Sequence, residues 1–160
     1  MDKMIRRAAH LGDAWAIAGH ATFETLQAQV EVYRTALEEA GKPFPPPLFS
    51  QGKELFIAGD MESARKQALP HIATKYEAYA AWGQDEHMPA NETFRLPIED
   101  LAKDRFIIGD PDTCVEEIDR HRERLGIQQI GLRVHWPGMP HLQAMRAIEL
   151  LAERVIPHFK

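Results

Sequence analysis

The chain has 160 residues, the length of one ordinary domain, and 44% of them are hydrophobic, enough to build a core. A formal charge of −5 and a pI near 5.9 provide no basic surface for a phosphate backbone, which argues against a nucleic-acid partner. The single cysteine, Cys114, excludes an internal disulfide and a thiolate metal cluster, no apolar run approaches the roughly 18 residues of a membrane span, and the N-terminal Met1 to Arg7 stretch lacks the apolar centre of a secretory signal. These features lead us to expect a cytoplasmic protein acting on a small molecule.

Residues 3–11 read as the end of a helix stopped by Gly12. Ala14-Trp15-Ala16-Ile17-Ala18 is then a short apolar run, the pattern of a strand buried on both faces. Thr22 is placed to cap a helix carrying Leu26, Val30, Tyr33 and Leu37 at steps of three and four, and Gly41 closes it. Pro43, Pro45, Pro46 and Pro47 enforce an extended connection. Leu55-Phe56-Ile57-Ala58 is a second apolar strand. Gly59 and Asp60 end it and open a helix with Ala64, Ala68, Ile72, Tyr76 and Tyr79 on one side, where Pro70 is expected to introduce a kink.

Residues 83–97, with Gly83, Pro89, Asn91 and Pro97 and few aliphatics, form a long excursion, a feature usually functional or disordered in a compact domain. Phe106-Ile107-Ile108-Gly109-Asp110-Pro111 repeats the strand-Gly-Asp signal, with Asp110 as cap and Pro111 at the first helical position. Val115, Ile118 and Leu125 supply the apolar face of that helix and Gly126 terminates it. Ile130 to Val134 is the last strand, followed by a tight loop through His141 and a helix carrying Leu142, Met145, Ile148, Leu151 and Val155. Three strands stand out clearly, alternating with amphipathic helices, which implies a parallel sheet covered by helices. An eight-stranded barrel takes about 250 residues, so this chain by itself does not close one.

Three segments carry a family resemblance. Ile5-Arg6-Arg7-Ala8-Ala9-His10-Leu11-Gly12-Asp13-Ala14-Trp15 resembles the "RRAA-x-LGD-x-W" segment at the sixth barrel strand of the luciferase-like flavin-dependent monooxygenases. Arg105 to Pro111 is similar to that family's "F-x-x-G-[STD]-P" entry to the helix before the last strand. The run from Leu125 through Arg133 and Trp136-Pro137-Gly138 to Pro157 resembles its final strand and closing helix, which commonly ends "E-x-V-x-P". The resemblance implies a (β/α)8 barrel that binds FMN or, in one branch, the deazaflavin F420. This chain would be a partial barrel, about its C-terminal three βα units. The Gly-rich phosphate turn and the first five strands of such a barrel precede the matched segment. The expected partner is therefore a missing N-terminal half or a second copy, with no activity from the chain alone.

By the same resemblance, Asp13 and Trp15 lie beside the cofactor. His135, Trp136 and Gly138 follow the last strand, and in parallel barrels the C-terminal strand ends bear the active site, so they are the expected substrate-pocket residues. His135 and His141 have no third ligand signalled nearby, so no metal site is expected. Asp110 reads as a cap, Arg133 as a group ion-paired within the barrel, and Cys114 as packing. No protein nucleophile is needed, because a flavin carries the oxygen chemistry itself. The competing readings are a half-barrel fragment that self-associates, F420-dependent hydride transfer, and an unrelated open-sheet module, the last weakened by the lack of G-x-G-x-x-G after any strand.

Overall fold

A computed structural model describes residues 2–159. Helix α1 (Asp2–Leu11) leads to strand β1 (Ala16–Ile17) and helix α2 (Phe23–Glu39). Strand β2 (Ser50–Ile57) and helix α3 (Met61–Ala81) follow, then a 3-10 turn (Gln84–His87) and the short helix α4 (Ile98–Leu101). The chain continues through β3 (Ile107–Gly109), α5 (Pro111–Leu125), β4 (Gln129–Arg133) and α6 (His141–Arg154) to a final 3-10 turn (Ile156–Phe159).

All strand pairings are parallel and all involve β2. Ala16 and Ile17 pair with Ser50 and Gln51, while Ser50 to Glu54 pair with Gln129 to Arg133, so β1 and β4 flank opposite edges of the start of β2. Its last residues, Leu55 to Ile57, pair instead with Ile107 to Gly109 of β3. The strand-Gly-Asp repeat at residues 106–110 is thus a fourth strand, beyond the three that stood out in the sequence. It is three residues long.

The helices begin and end where local chemistry dictates. Thr22, Asp60 and Asp110 accept hydrogen bonds from the backbone N–H of Thr25, Ser63 and Thr113, each satisfying an orphan donor of a first turn. Gly126 ends α5 in the left-handed conformation. Helix α3 runs on through Pro70, and Thr74 Oγ1 donates to the Pro70 carbonyl at 3.2 Å.

Two apolar clusters hold the layers together. Phe23, Leu26, Val30, Tyr33 and Leu37 of α2 pack with Ile5 and Ala9 of α1, Phe49 and Leu125. Leu55, Phe56 and Ile57 pack with Ile72 and Tyr76 of α3, Ile107, Cys114 and Trp136. Each fully buried side chain of this size contributes about 1.5–3 kcal/mol.

Two burial expectations need correction. The β1 segment is not buried on both faces: Ile17 is buried but Ala16 and Ala18 are exposed, because nothing in the described residues covers the second face of the sheet. Helix α6 buries Ala144, Ala147 and Leu151 and leaves Leu142, Met145 and Ile148 exposed. Its small alanines allow close approach to the sheet layer, which turns the larger side chains outward.

Candidate functional site: a cleft at the strand ends

The residues after β1, the middle of β2 and the C-terminal end of β4 border one cleft of about 410 Å³, lined by Ala18, Gly19 and His20, by Gly52, Lys53 and Glu54, and by Gly131, Leu132 and Arg133, with Lys75 of α3. Its floor is almost free of side chains. A Cβ on Gly52 would meet nothing within 4 Å and one on Gly131 only the Gln51 carbonyl oxygen at 3.9 Å, so both face open space. Gly19 is required for a different reason: a Cβ there would sit 2.0 Å from the Gly52 carbonyl oxygen. Only glycine lets β1 leave the sheet so close to β2.

Behind the floor lies a buried ion pair. Lys75 Nζ donates to Glu54 Oε1, and the indole Nε1–H of Trp136 donates to Glu54 Oε2 at 2.6 Å. Lys75 also sits over the rings of Tyr76 and Tyr79, at 5.1 and 5.0 Å from their centroids. The Tyr76 hydroxyl lies 3.2 Å from His20 Nδ1. Burial, reinforced by the Glu54 charge, raises the Tyr76 pKa, while burial and the Lys75 charge lower that of His20. Both groups are therefore held neutral at pH 7.

A second polar cluster pins the 84–97 excursion to the strand ends. Glu92 Oε1 accepts from the Thr22 N–H at 2.8 Å and from Thr22 Oγ1 at 2.6 Å, and Arg105 Nη1 lies 2.8 Å from Glu92 Oε2. Burial works to raise the Glu92 pKa, but hydrogen bonds from Thr22 and Thr25 and the Arg105 charge hold it below the usual carboxylate range. Arg105 further donates to the carbonyls of Leu101 and His20. Lys53 Nζ donates to the Arg105 carbonyl at 2.6 Å, and its pKa falls to about 8 through burial and then the Arg105 charge. The excursion is thus an anchored cover. Between it and β1 lies a smaller cavity of about 210 Å³, bordered by Trp15, His20, Met88 and Phe94.

A further apolar cavity of about 340 Å³ opens between α5, β4 and the end of α6, near Ile127 to Ile130. It is at the N-terminal end of β4, away from the strand ends. Its one imidazole, His121, is already engaged with Gln51 Oε1 at 2.8 Å. Cys114 is buried and its thiol is pushed up to about 12 by burial and the Asp110 charge, which leaves it unreactive. Among the described residues there is no group of three His, Cys, Asp or Glu placed to hold a metal, and no helix is long and apolar enough to cross a membrane.

The five residues singled out from sequence are spread across the fold. Trp15 is half-buried against Tyr33 and Phe49, with ring centroids 5.4 and 6.3 Å away, and borders the smaller cavity. Trp136 is 1% exposed and reaches the cleft from behind, through Glu54, rather than as an open aromatic wall. Asp13 is exposed in the turn before β1. His135 is exposed with Nε2 3.3 Å from the Met139 carbonyl, and Gly138, at φ +80°, faces His71 of α3. Asp13, His135 and Gly138 line neither cavity. Arg133 is exposed at the cleft and makes no ion pair among the described residues. The residues that sequence reasoning passed over are His20, Glu54 and Lys75. One signal was available, since Gly19-His20 stands directly after a strand, where a parallel sheet presents its site.

Parallel strands with covering helices and a cleft along β1, β2 and β4 define an open parallel α/β sheet of the kind found in (β/α) barrels. The Luciferase-like monooxygenase family matches residues 1–129, and the chain belongs to that family. No curated protein matches the sequence. Many solved structures share the fold, among them the following three. A monooxygenase from Streptomyces bottropensis superposes with a TM-score of 0.79 at 21% identity, over 100% of this chain and 46% of that one. The oxygenating constituent of 3,6-diketocamphane monooxygenase from Pseudomonas putida, in complex with FMN, gives 0.68 at 19% identity, over 96% and 45%. The coenzyme F420-dependent tetrahydromethanopterin reductase of Methanopyrus kandleri gives 0.69 at 22% identity, over 100% and 49%. The chain spans about half the length of these proteins.

Proposed function

We propose that this chain supplies the C-terminal strand ends of a flavin-type site in a luciferase-like oxidoreductase that oxidises a small organic substrate. The ring of FMN, or alternatively of F420, would lie across Ala18, Gly52 and Gly131. The observation that carries this reading is one cleft bordered by three adjacent parallel strands, with a floor of small residues and a rim of His20 and Arg133. A planar heterocycle needs a flat floor, and its carbonyl and ring-nitrogen edge needs a donor, which Arg133 at the rim provides.

The cleft lining suits the ring end of the cofactor rather than its phosphate. The N-termini of α2, α3 and α5, the usual places for an anion, are occupied by the carboxylates of Glu92, Asp60 and Asp110. The phosphate would be held away from these three helix starts. A bound reduced flavin supplies electrons for oxygen activation, and a deazaflavin supplies hydride. The protein's part is to hold the ring edge through Arg133 and to fix Lys75 against Glu54 behind the floor.

The test is fluorescence titration of FMN and, separately, F420 with the chain and with its Arg133→Ala variant. Quenching by the wild type, weakened about tenfold or about 1.4 kcal/mol by Arg133→Ala, is expected. Neither cofactor responding, alone or after addition of an N-terminal half from a homologous barrel, would sink the reading.

A second reading, association of two half-barrels, is favoured by a separate observation. Leu142, Met145 and Ile148 form an exposed apolar stripe on α6, and β1 and β4 have no second neighbour among the described residues. A homodimer would cover both.

A further inference from the structure

We propose that His20, fixed by Tyr76 as the Nε2–H tautomer, is the polar anchor of a second pocket beneath the 84–97 excursion, and that this pocket takes a small neutral carbonyl compound. Three observations carry the proposal.

The first is the hydrogen bond between His20 and Tyr76. The Tyr76 hydroxyl is buried and has one partner, His20 Nδ1 at 3.2 Å. Were the imidazole proton on Nδ1, the phenolic proton would be left buried with no acceptor, at a cost of about 1–3 kcal/mol. Tyr76 therefore donates, Nδ1 accepts, and the ring proton sits on Nε2, which has no partner among the described residues. Three aromatic rings fix the imidazole edge-on: Tyr76, Tyr79 and Phe94, with centroids 6.0, 5.5 and 6.2 Å away. The charges facing it are Lys75 from α3, Glu54 from β2, Arg133 from β4 and Arg105 ahead of β3. Three of these four are cations, so the ring stays neutral and presents a donor rather than a charge.

The second observation is that His20 lines both cavities. The strand-end cleft around it is charged, with Lys53, Glu54, Lys75 and Arg133. The smaller cavity is not. Besides His20 its polar lining is Gln29 and Gln84, and the rest is apolar or aromatic, led by Trp15, Met88 and Phe94. An anion placed there would be desolvated without a counter-charge, whereas a neutral molecule with one acceptor oxygen would be satisfied by a single N–H.

The third is size. At about 210 Å³ the cavity falls below the range of about 300–1,000 Å³ that houses drug-sized ligands. It suits a compact ketone, aldehyde or ester. As the substrate pocket of an oxidoreductase this rests on the reading above. The tautomer and the binding do not need a flavin.

The test uses the whole chain in its folded state. Long-range nitrogen–proton correlation spectra of the histidine rings at neutral pH are expected to show His20 protonated on Nε2. In the Tyr76→Phe variant, which keeps the ring and loses the hydroxyl, that preference should disappear. Titration with acetophenone should move the Trp15, His20 and Phe94 resonances, with affinity reduced several-fold by Tyr76→Phe. Benzoate, of the same shape but anionic, should bind more weakly. A proton on Nδ1 in the wild type, benzoate binding as tightly as acetophenone, or no acetophenone response would each overturn the proposal. A chain that passes these tests but ignores FMN and F420 would count against the flavin reading alone.

Discussion

Replacing Lys75 by methionine keeps most of the side chain's length and removes its charge, which isolates the electrostatic contribution of the pair behind the cleft floor. The side chains of Lys75 and Glu54 are 6% and 5% exposed, so water screens neither. Removing one partner of such a pair costs about 3–5 kcal/mol, because the other charge stays buried and uncompensated. That is a large share of the roughly 5–15 kcal/mol that stabilises an ordinary domain. Glu54→Gln should lose a comparable amount, since Lys75 would keep only its contacts with the Tyr76 and Tyr79 rings. The double variant Glu54→Gln with Lys75→Met should recover to within about 1–2 kcal/mol of the wild type, because removing both charges removes both desolvation penalties. Glutamine also keeps an acceptor for the Trp136 indole N–H, now 2.6 Å from Glu54 Oε2. The assay is urea unfolding followed by tryptophan fluorescence, with the midpoint shifted at unchanged m. Single variants that lose less than about 1 kcal/mol, the range of an exposed pair, would refute the reasoning.

Other perturbations test other parts of the fold. His121, lowered to about 3 by burial and then by the charges of Lys53 and Arg120, lies below the ordinary 6.5 of imidazole. The unfolded chain takes up that proton first, so this contribution is whole above about pH 6.5 and is lost progressively as pH falls toward 3; at about pH 4.5 the loss is about 2–3 kcal/mol. His121→Gln should flatten that limb of the urea midpoint against pH, and an unchanged slope would contradict the assignment. Gly19→Ala should destabilise by about 1–3 kcal/mol or more, its Cβ being driven into the Gly52 carbonyl, whereas Gly52→Ala should leave the midpoint within about 1 kcal/mol and weaken FMN quenching. Glu92→Gln should loosen the excursion by leaving Arg105 buried without its carboxylate, seen as faster proteolytic nicking within residues 84–97; unchanged nicking would show that other contacts hold the cover. Sedimentation showing a monomer at micromolar concentration would exclude the pairing of two half-barrels, while a dimer dispersed by Leu142→Glu would place α6 in the interface.

Much of the fold was legible because its signals are local. A cap such as Asp110 followed by Pro111 acts within one turn, and the α2 stripe from Leu26 to Leu37 repeats at the helical period, so both are visible in any window of the sequence. The start of β2 was not legible. Ser50 to Glu54 reads Ser, Gln, Gly, Lys, Glu, yet these residues form the central strand because three buried side chains find distant partners: Gln51 Oε1 with His121, Lys53 with the Arg105 carbonyl and Glu54 with Lys75. Polarity argued for a loop, and tertiary pairing overrode it. The same blindness affected the site. The loop after β4 drew attention to His135 and Gly138, but the cleft is built by His20, Glu54 and Lys75, which lie 55 positions apart from first to last.

The ordered motifs from Arg6 to Pro157, together with alternating strands and helices, were enough to determine the family and the parallel architecture, because capping, periodicity and Gly or Pro turns are written into consecutive residues. The length set the expectation of a partial barrel, and the described residues form a four-stranded parallel sheet. What only the tertiary structure decided is where charge and space fall. The indole of Trp136 is turned inward onto Glu54, the carboxylate of Glu92 is spent on the N-terminus of α2, and His20 stands between a charged cleft and a neutral cavity. Each depends on groups brought together from separate elements, and their protonation and desolvation follow from that assembly rather than from any neighbour in the chain.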